Sequence, residues 1–450
     1  MSHFKHVFHF PTVRTAIGVM WHNKIGNITN AVTCPGCGLS CDDLQLEVSD
    51  GQLVSLEKGC TLARSFFDTA LTPHDHNPMI DGSRTSLDDA IAQSAELLRK
   101  AHAPLFAGLV TDVNGMRGTL EVADHCGAIL DHCNGDGLFR NIRVLQDNGW
   151  FATTFTEVRN RADLMIVVGN QCFDRFPRLI ERVLNPEHSL FSSASERKLI
   201  LLGPWDSGSL ATDIEAMACT VIPVEHRQLS DAAGVLRGLV SGRPVNMQAF
   251  GDKTGDQLVE LATQLKTAKY SVIAWSATEL DFPHAELTIQ GLVDLIKDLN
   301  LTTRSAALPL AGTLADVTSN QVCTWQLGYP LRTRLQRSYP EHDPLINRYQ
   351  TLIAQKEIDL LMWISSLSPQ VVPPVTDSPT IVLGHPGMTF ENDPDVYIPV
   401  GVPGVDHPGH WYRSDAVCPM PLGRLRESDL PAVSQIMMLL NDKLLQATGE

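Results

Sequence analysis

The chain has 450 residues, of which 43% are hydrophobic and 19% are charged. This length allows about three domains with buried cores, and the composition excludes both a small disulfide-stapled fold and wholesale disorder. Lys and Arg number 35 against 51 Asp and Glu, which leaves a formal net charge of -16. Because nucleic acids and anionic membranes attract concentrated positive charge, we expect neither of them as a main partner.

The N-terminal segment does not have the pattern of a secretion signal. Residues 1–21 mix His, Phe and Arg without an apolar core and a small-residue cleavage site. No apolar run in the sequence approaches the roughly 18 residues that a membrane helix requires. We therefore expect a cytoplasmic protein. Residues 1–28 show no clear periodicity, so Met20 is an alternative start.

Four of the ten cysteines are crowded into a short stretch: Cys34, Cys37, Cys41 and Cys60. In a cytosolic chain, such crowding is typical of a metal or cluster site rather than of disulfides. Three thiolates in a tight loop with a distant fourth match the ligation of a [4Fe-4S] cluster. A tetrahedral zinc site and four free buried thiols are the alternatives. The short spacings favour the cluster, in a small module that we place at residues 29–85.

The sequence after residue 100 alternates short apolar runs with amphipathic stretches, which predicts mostly parallel strands joined by helices. Ser86 is the expected N-cap of a helix, with Asp89 in its first turn. Further helices are expected at 256–270 and 284–300, and a last one beginning near Ser428. Strands are predicted at 104–110, 164–169, 198–203, 219–224, 271–275, 359–365, 380–384 and 396–401.

These elements predict an α/β protein with several lobes. We divide it into the cysteine module at 29–85, α/β lobes at 86–300, and an irregular excursion followed by a C-terminal α/β lobe at 301–450. The lobes can interleave in sequence. The carboxyl ends of the strands feed loops of the kind that form ligand crevices in open α/β sheets.

A second cysteine pattern occurs where His125-Cys126 recurs as His132-Cys133. On one helix the two pairs would lie on the same side but two turns apart, too far to hold one compact ion. A structural role is therefore the better interpretation. His385, His407 and His410 lie near Gly and Pro in late loops, where we expect them to fill turns rather than to orient a ligand.

Several blocks together resemble the B subunit of formylmethanofuran dehydrogenase, a member of the molybdopterin oxidoreductase fold family. They occur in the family's order and extend over about residues 30–447. The matching blocks are CPGCGLSCDD at 34–43, LQDNGWFATTFTEVRNRADLMIVVGN at 145–170, NQVCTWQLGYP at 320–330, WYRSDAVCPMPL at 411–422 and RESDLP at 426–431.

The resemblance implies a tungsten or molybdenum atom held by two pterins and a cysteine that a histidine follows, with an arginine elsewhere. Counting from the shared blocks places the cysteine position at Gly137, its histidine neighbour at Leu138 and the arginine position at Ala311. Glycine cannot ligate a metal, leucine cannot transfer a proton and alanine cannot bind a carboxylate. We therefore expect no bis-pterin metal and no catalytic residue. The alternative is that Cys133 or Cys172 is a displaced metal ligand.

A degenerate relative of this kind resembles the B subunit of the formyltransferase/hydrolase complex of methylotrophic bacteria. The resemblance implies a non-catalytic scaffold, with A, C and D subunits as partners. In that complex a formyl group moves from tetrahydromethanopterin to a methanofuran-like carrier and is released as formate. One alternative is an active tungsten or molybdenum formylmethanofuran dehydrogenase subunit. Another is an iron-sulfur subunit that transfers electrons in a different oxidoreductase.

Overall fold

The computed structural model describes residues 24–25, 28–193, 196–205, 214, 217–336 and 339–448. The N-terminal residues that were weighed as a secretion signal, and the alternative start at Met20, lie outside these ranges. No helix in the ranges described is long and apolar enough to cross a membrane.

Strands and helices alternate along most of the chain. The strands are β1 (Lys24–Ile25), β2 (Ile28–Val32), β3 (Leu44–Ser49), β4 (Gln52–Glu57), β5 (Met79–Ile80), β6 (Ser83–Arg84), β7 (Pro104–Val110), β8 (Ile129–Leu130), β9 (Leu164–Val168), β10 (Lys198–Gly203), β11 (Ala218–Pro223), β12 (Ser271–Trp275), β13 (Ser305–Pro309), β14 (Thr333–Gln336), β15 (Tyr339–His342), β16 (Leu360–Ser365), β17 (Thr380–Gly384), β18 (Val396–Pro399), β19 (Gly409–Tyr412) and β20 (Pro419–Leu422). The α-helices are α1 (Thr61–Leu71), α2 (Leu87–Lys100), α3 (Val113–Cys126), α4 (Gly135–Asn148), α5 (Phe155–Arg161), α6 (Cys172–Arg175), α7 (Leu229–Val240), α8 (Gly251–Thr267), α9 (Ala285–Leu299), α10 (Asp316–Leu327), α11 (Tyr349–Ala354) and α12 (Val433–Thr448).

The middle of the chain forms an open parallel sheet. In the part of the chain that the structure describes, this sheet has five strands in the order β11-β10-β9-β12-β13. Helices α7, α8 and α9 cover one face with a core of aliphatic side chains. The other face shares its core with the N-terminal cysteine loop. Because β10 lies on one side of β9 and β12 on the other, the strand order reverses between β9 and β12.

A second sheet forms the larger lobe. Counted over the described residues, it has nine strands in the order β15-β14-β8-β7-β16-β17-β18-β5-β6, and the run from β8 to β18 is parallel. Helices α2, α3 and α12 pack on one face. Strand β7 pairs with β16 although more than 240 residues separate them. The five-stranded sheet lies between these strands in sequence, so the two lobes interleave as expected.

Every predicted strand is present, because each run is apolar enough to be buried on both faces of a parallel sheet. Ser86 caps α2 as predicted, and its hydroxyl accepts a hydrogen bond from the N–H of Asp89 at 3.1 Å. The last helix begins at Val433 rather than near Ser428, so that prediction is corrected. The cause is Pro431, which is followed by Ala432, whose N–H donates to the side chain of Gln435.

Two further expectations are corrected. The irregular excursion expected at the start of 301–450 instead contains regular elements over residues 305–342, namely β13, α10, β14 and β15. The two His-Cys pairs do not share a helix, because α3 ends at Cys126 and Gly127 adopts a left-handed conformation with φ 66°. His132 instead follows β8, where its Nε2 lies 3.0 Å from the carbonyl oxygen of Leu314. The histidines of both pairs contact other parts of the chain, since His125 also lies against the side chain of Asn441, and this agrees with the structural role expected for them.

Candidate functional site

The cysteine loop connects β2 to β3. It is closed by a hydrogen bond from the N–H of Cys34 to the carbonyl of Cys41, 2.8 Å long. The N–H of Gly36 donates to the sulfur of Cys34 at 3.3 Å, as backbone amides do around thiolate ligands. Cys60 lies directly before α1 and is its N-cap residue. The fold therefore places three of the predicted cysteines in the loop between β2 and β3 and the fourth, Cys60, at the start of α1.

The four thiols line one cavity. Cys34, Cys37, Cys41 and Cys60 line one small pocket, together with Arg178 and Lys58. Burial raises the pKa of Cys34 well above its usual value, that of Cys37 to about 12 and that of Cys41 to about 11. In the absence of a metal, the thiols of Cys34, Cys37 and Cys41 are therefore protonated at neutral pH. Metal binding would have to release their protons.

The donor set and its surroundings fit an iron-sulfur cluster. The four cysteines line one pocket that Arg178 also lines, and the positive charge of Arg178 favours the thiolate forms of Cys37 and Cys41 that a cluster would bind. In the described ranges, no three His, Cys, Asp or Glu side chains are gathered around a single point as one ion requires.

Gly137, the position of the expected metal ligand, lies in the first turn of α4 and is buried. A Cβ atom at this position would stand 2.6 Å from Oγ1 of Thr278 and 3.1 Å from its Cα. A side chain at this position would therefore require Thr278 to shift. Leu138 points into the core shared by α4 and the nine-stranded sheet. The space beside Gly137 is therefore filled by the chain itself.

Ala311, the position of the expected arginine, lies directly beneath the cysteine loop. A Cβ atom on Gly38 would collide with the carbonyl oxygen of Ala311. Ser414 joins the two, because its N–H donates to Gly38 at 2.8 Å and its hydroxyl donates to the carbonyl of Ala311. The cysteine loop is thus in direct backbone contact with this position.

Asp316 connects the surroundings of Ala311 to those of Gly137. Its carboxyl accepts hydrogen bonds from the N–H of Gly312 at 2.7 Å and from the side chain of Asn134 at 2.6 Å. Asn134 precedes α4 and also contacts Thr278. Burial raises the pKa of Asp316 to about 6, although these hydrogen bonds partly oppose the effect. The structure therefore brings the cysteine loop and the three degenerate positions into one continuous region.

The other candidate residues have structural contacts. Cys172 is fully buried in the core beneath the five-stranded sheet, and Cys133 lies beside the ring of His132. His385 accepts the N–H of Gly387 at 3.0 Å, and burial lowers its pKa to about 4. His407 contacts the carbonyls of Gly401 and Pro408, and the side chain of His410 is exposed on β19.

Thr278, Glu279 and Asp316 were not singled out in the sequence. The sequence could have indicated Thr278 and Glu279, because they follow the predicted strand at 271–275, and the carboxyl ends of such strands form ligand crevices. Arg178 gave no signal, because its position over the cysteines depends on the packing of two distant segments.

Known proteins with similar sequences come from two related complexes. No protein-family model matches the chain. The B subunit of the formyltransferase/hydrolase complex Fhc of Methylorubrum extorquens is 30% identical over 328 residues, which cover 72% of this chain and 85% of the relative. The B subunit of the tungsten-containing formylmethanofuran dehydrogenase 2 of Methanocaldococcus jannaschii is 24% identical over 405 residues, which cover 87% of this chain and 92% of the relative.

Solved structures with a similar fold include a chain of the same kind of complex as the first of these relatives. A chain of the formyltransferase/hydrolase complex (FhcABCD) from Methylorubrum extorquens, crystallised with methylofuran, matches with a TM-score of 0.70 and 26% identity. The match covers 83% of this chain and 100% of that chain. Acetylene hydratase from Pelobacter acetylenicus matches with a TM-score of 0.57 and 11% identity, over 92% of this chain and 69% of that chain.

The fold is therefore that of a mixed α/β protein with parallel sheets, and it is similar to the folds of the FhcABCD chain and of acetylene hydratase. Within that class, the chain belongs to the family of B subunits found in formylmethanofuran dehydrogenases and formyltransferase/hydrolase complexes. The resemblance predicted from the cysteine loop and the later sequence blocks is confirmed.

Proposed function

We propose that this chain is the B subunit of a formyltransferase/hydrolase complex, in which it acts as a scaffold without redox catalysis. Its partners are the A, C and D subunits. The complex moves a formyl group from tetrahydromethanopterin to a methanofuran-like carrier and releases formate in the cytoplasm. The observation that carries the proposal is the match to a chain of the FhcABCD complex along that chain's whole length.

The surroundings of the degenerate positions support a non-catalytic role. Gly137 has no side chain to ligate a metal, and Thr278 fills the space where one would extend. Ala311 has no cationic group with which to bind a carboxylate, and its backbone is held against Gly38 and Ser414. The residues here do not fit a bis-pterin tungsten or molybdenum centre, and no redox step is assigned to them.

The cysteine site has a different role in this proposal. Cys34, Cys37, Cys41 and Cys60 hold a [4Fe-4S] cluster that ties the module at 29–85 together, because cluster ligation contributes folding free energy. The supporting observations are the shared cavity and the positive charge of Arg178 beside it. A cluster of this kind stabilises the N-terminal module without requiring a neighbouring redox centre.

Co-expression with tagged A, C and D subunits tests the assembly. We expect the four chains to migrate as one complex in size-exclusion chromatography, and we expect the tagged A subunit to retain this chain through washing. A matched experiment that omits this chain measures what it contributes to the recovery of the other three. Failure of this chain to join the other subunits would contradict the proposal and favour an electron-transfer subunit of another enzyme.

A further inference from the structure

The five-stranded sheet has a topological switch point between β9 and β12. In open α/β sheets, ligands bind outside the carboxyl ends of the strands at such a point, where a glycine lets the backbone approach a phosphate. Gly169 occupies this position after β9, with φ 94°. A Cβ atom on Gly203 at the end of β10 would stand 3.0 Å from the Cα of Gly169, so the backbones are already close. The switch point is therefore a position at which open α/β sheets bind phosphate-bearing cofactors.

The crevice is occupied by a side chain of the same molecule. Glu279 is fully buried, and its carboxylate accepts hydrogen bonds from the N–H of Asn170 and from the N–H of Gln171, the latter at 3.2 Å. A Cβ atom on Gly169 would lie 2.5 Å from Oε2 of Glu279. Nε2 of His226, on the neighbouring β11–α7 connection, lies 3.1 Å from Oε1. The carboxylate of Glu279 thus lies against Gly169. It occupies the two backbone N–H groups, those of Asn170 and Gln171, that would donate to a phosphate at this point.

The segment that carries Glu279 is fixed at both ends. Residues 276–281, called here the plug segment, follow β12 and are held by Arg140 of α4. Arg140 donates to the carbonyl of Ala277 at 2.9 Å and pairs with the carboxylate of Asp281. Thr278 in the same segment fills the space beside Gly137. One short segment therefore fills both the ligand position on α4 and the crevice of the sheet.

We propose that the plug segment is a built-in replacement for a phosphate-bearing cofactor, with the carboxylate of Glu279 in the place of the phosphate. A phosphate at this point would face a buried carboxylate and would lose its two backbone donors, so cofactor binding requires Glu279 to leave the crevice. This inference deepens the proposed non-catalytic role and rests on it in part. It identifies the plug segment as the part of the chain that excludes the cofactor.

Calorimetric titration of the full chain with inorganic pyrophosphate tests the inference. We expect no binding to the wild type or to Glu279→Gln, which keeps the crevice filled. Glu279→Ala empties it and frees both N–H groups, so pyrophosphate should bind at least about tenfold more tightly than to the wild type. The matched control is Glu225→Ala, which removes an exposed carboxylate beside His226 without opening the crevice.

Equal binding to the wild type and to Glu279→Ala, or no binding to either, would overturn the inference. If Glu279→Ala fails to fold, amide hydrogen exchange of the wild-type protein tests the inference instead. The amides of Asn170 and Gln171 should exchange at least about tenfold more slowly than in an unstructured peptide, and unprotected exchange would contradict the account. Both measurements are made on this chain alone, so they are independent of whether it assembles with A, C and D subunits.

Discussion

Arg178 and Asp43 form two parallel hydrogen bonds, 2.8 and 2.9 Å long, between the five-stranded lobe and the end of the cysteine loop. Arg178 is almost fully buried and also pairs with Glu181. The same guanidinium lines the cysteine cavity. Arg178 therefore connects the N-terminal module to the lobe, together with Arg182, and places positive charge beside the thiols.

We predict that Arg178→Met destabilises the protein by about 1–3 kcal/mol, because it leaves a half-buried carboxylate with only Arg182 as an ionic partner. Thermal unfolding followed by circular dichroism measures the change. The control Arg64→Met alters an exposed arginine of α1 and should have little effect. Equal midpoints for the two variants would show that the bidentate pair does not hold the module.

The pH dependence of this pair has a defined sign. Burial alone would raise the pKa of Asp43, but the hydrogen bonds of Arg178 and the charges of Arg178 and Arg182 hold it below its usual value. The stabilisation is therefore present above about pH 4 and is lost as the pH falls through the lowered value. The difference in midpoint between the wild type and Arg178→Met should shrink below pH 4.

The stability contributed by Asp316 should depend on pH in the opposite direction to that contributed by Asp43, because its pKa is raised rather than lowered. Its folded pKa of about 6 lies above the unfolded value, so the folded state keeps a proton that the unfolded state has lost. Stability from this group is complete below about pH 4, and about 3 kcal/mol of it is lost as the pH rises to 6. Asp316→Asn cannot titrate. Its deficit relative to the wild type should be larger at pH 4.5 than at pH 7, and a constant deficit would be inconsistent with this assignment.

Iron and sulfide analysis of anaerobically purified protein tests the cysteine site. We expect about four iron and four sulfide per chain, with loss of both in each of Cys34→Ser, Cys37→Ser, Cys41→Ser and Cys60→Ser. The control Cys418→Ser changes a cysteine outside the cavity, whose thiol lies 3.8 Å from the sulfur of Met420. Absence of iron and sulfide from the wild type would overturn the cluster proposal.

Gly137→Cys should not create a tungsten or molybdenum site. The new Cβ would meet Thr278 at 2.6 Å, and overpacking of this kind costs about 1–3 kcal/mol. Gly234→Cys in α7 is the matched control, because a Cβ there meets no atom within 4 Å. Metal analysis after growth with tungstate and molybdate, together with the unfolding midpoint, checks both expectations. Stoichiometric metal in Gly137→Cys alone would mean that the surroundings still accept the centre.

The sequence was sufficient for features that depend on local patterns. The parallel strands have apolar runs, as in Leu164–Val168 and 272–275, because both faces of each sheet are covered. The cap at Ser86 follows from its own side chain. The family resemblance came from blocks such as the cysteine loop, and the relatives confirm it.

The features missed by the sequence depend on contacts between distant segments. Thr278 fills the space beside Gly137 although about 140 residues separate them, and Glu279 reaches the N–H groups that follow β9. The end of α3 was missed for a local reason, because Gly127 terminates the helix before the second His-Cys pair. The division at 29–85, 86–300 and 301–450 remains a prediction.

The central claim is that this chain supports formyl transfer and hydrolysis without a redox metal. The most direct measurement is the tungsten and molybdenum content of the purified four-subunit complex, determined on the same sample as its formate-producing activity. We predict formate release from the formylated carrier with far less than one tungsten or molybdenum per complex and no viologen reduction. Stoichiometric tungsten or molybdenum with viologen-linked formate oxidation would contradict the account.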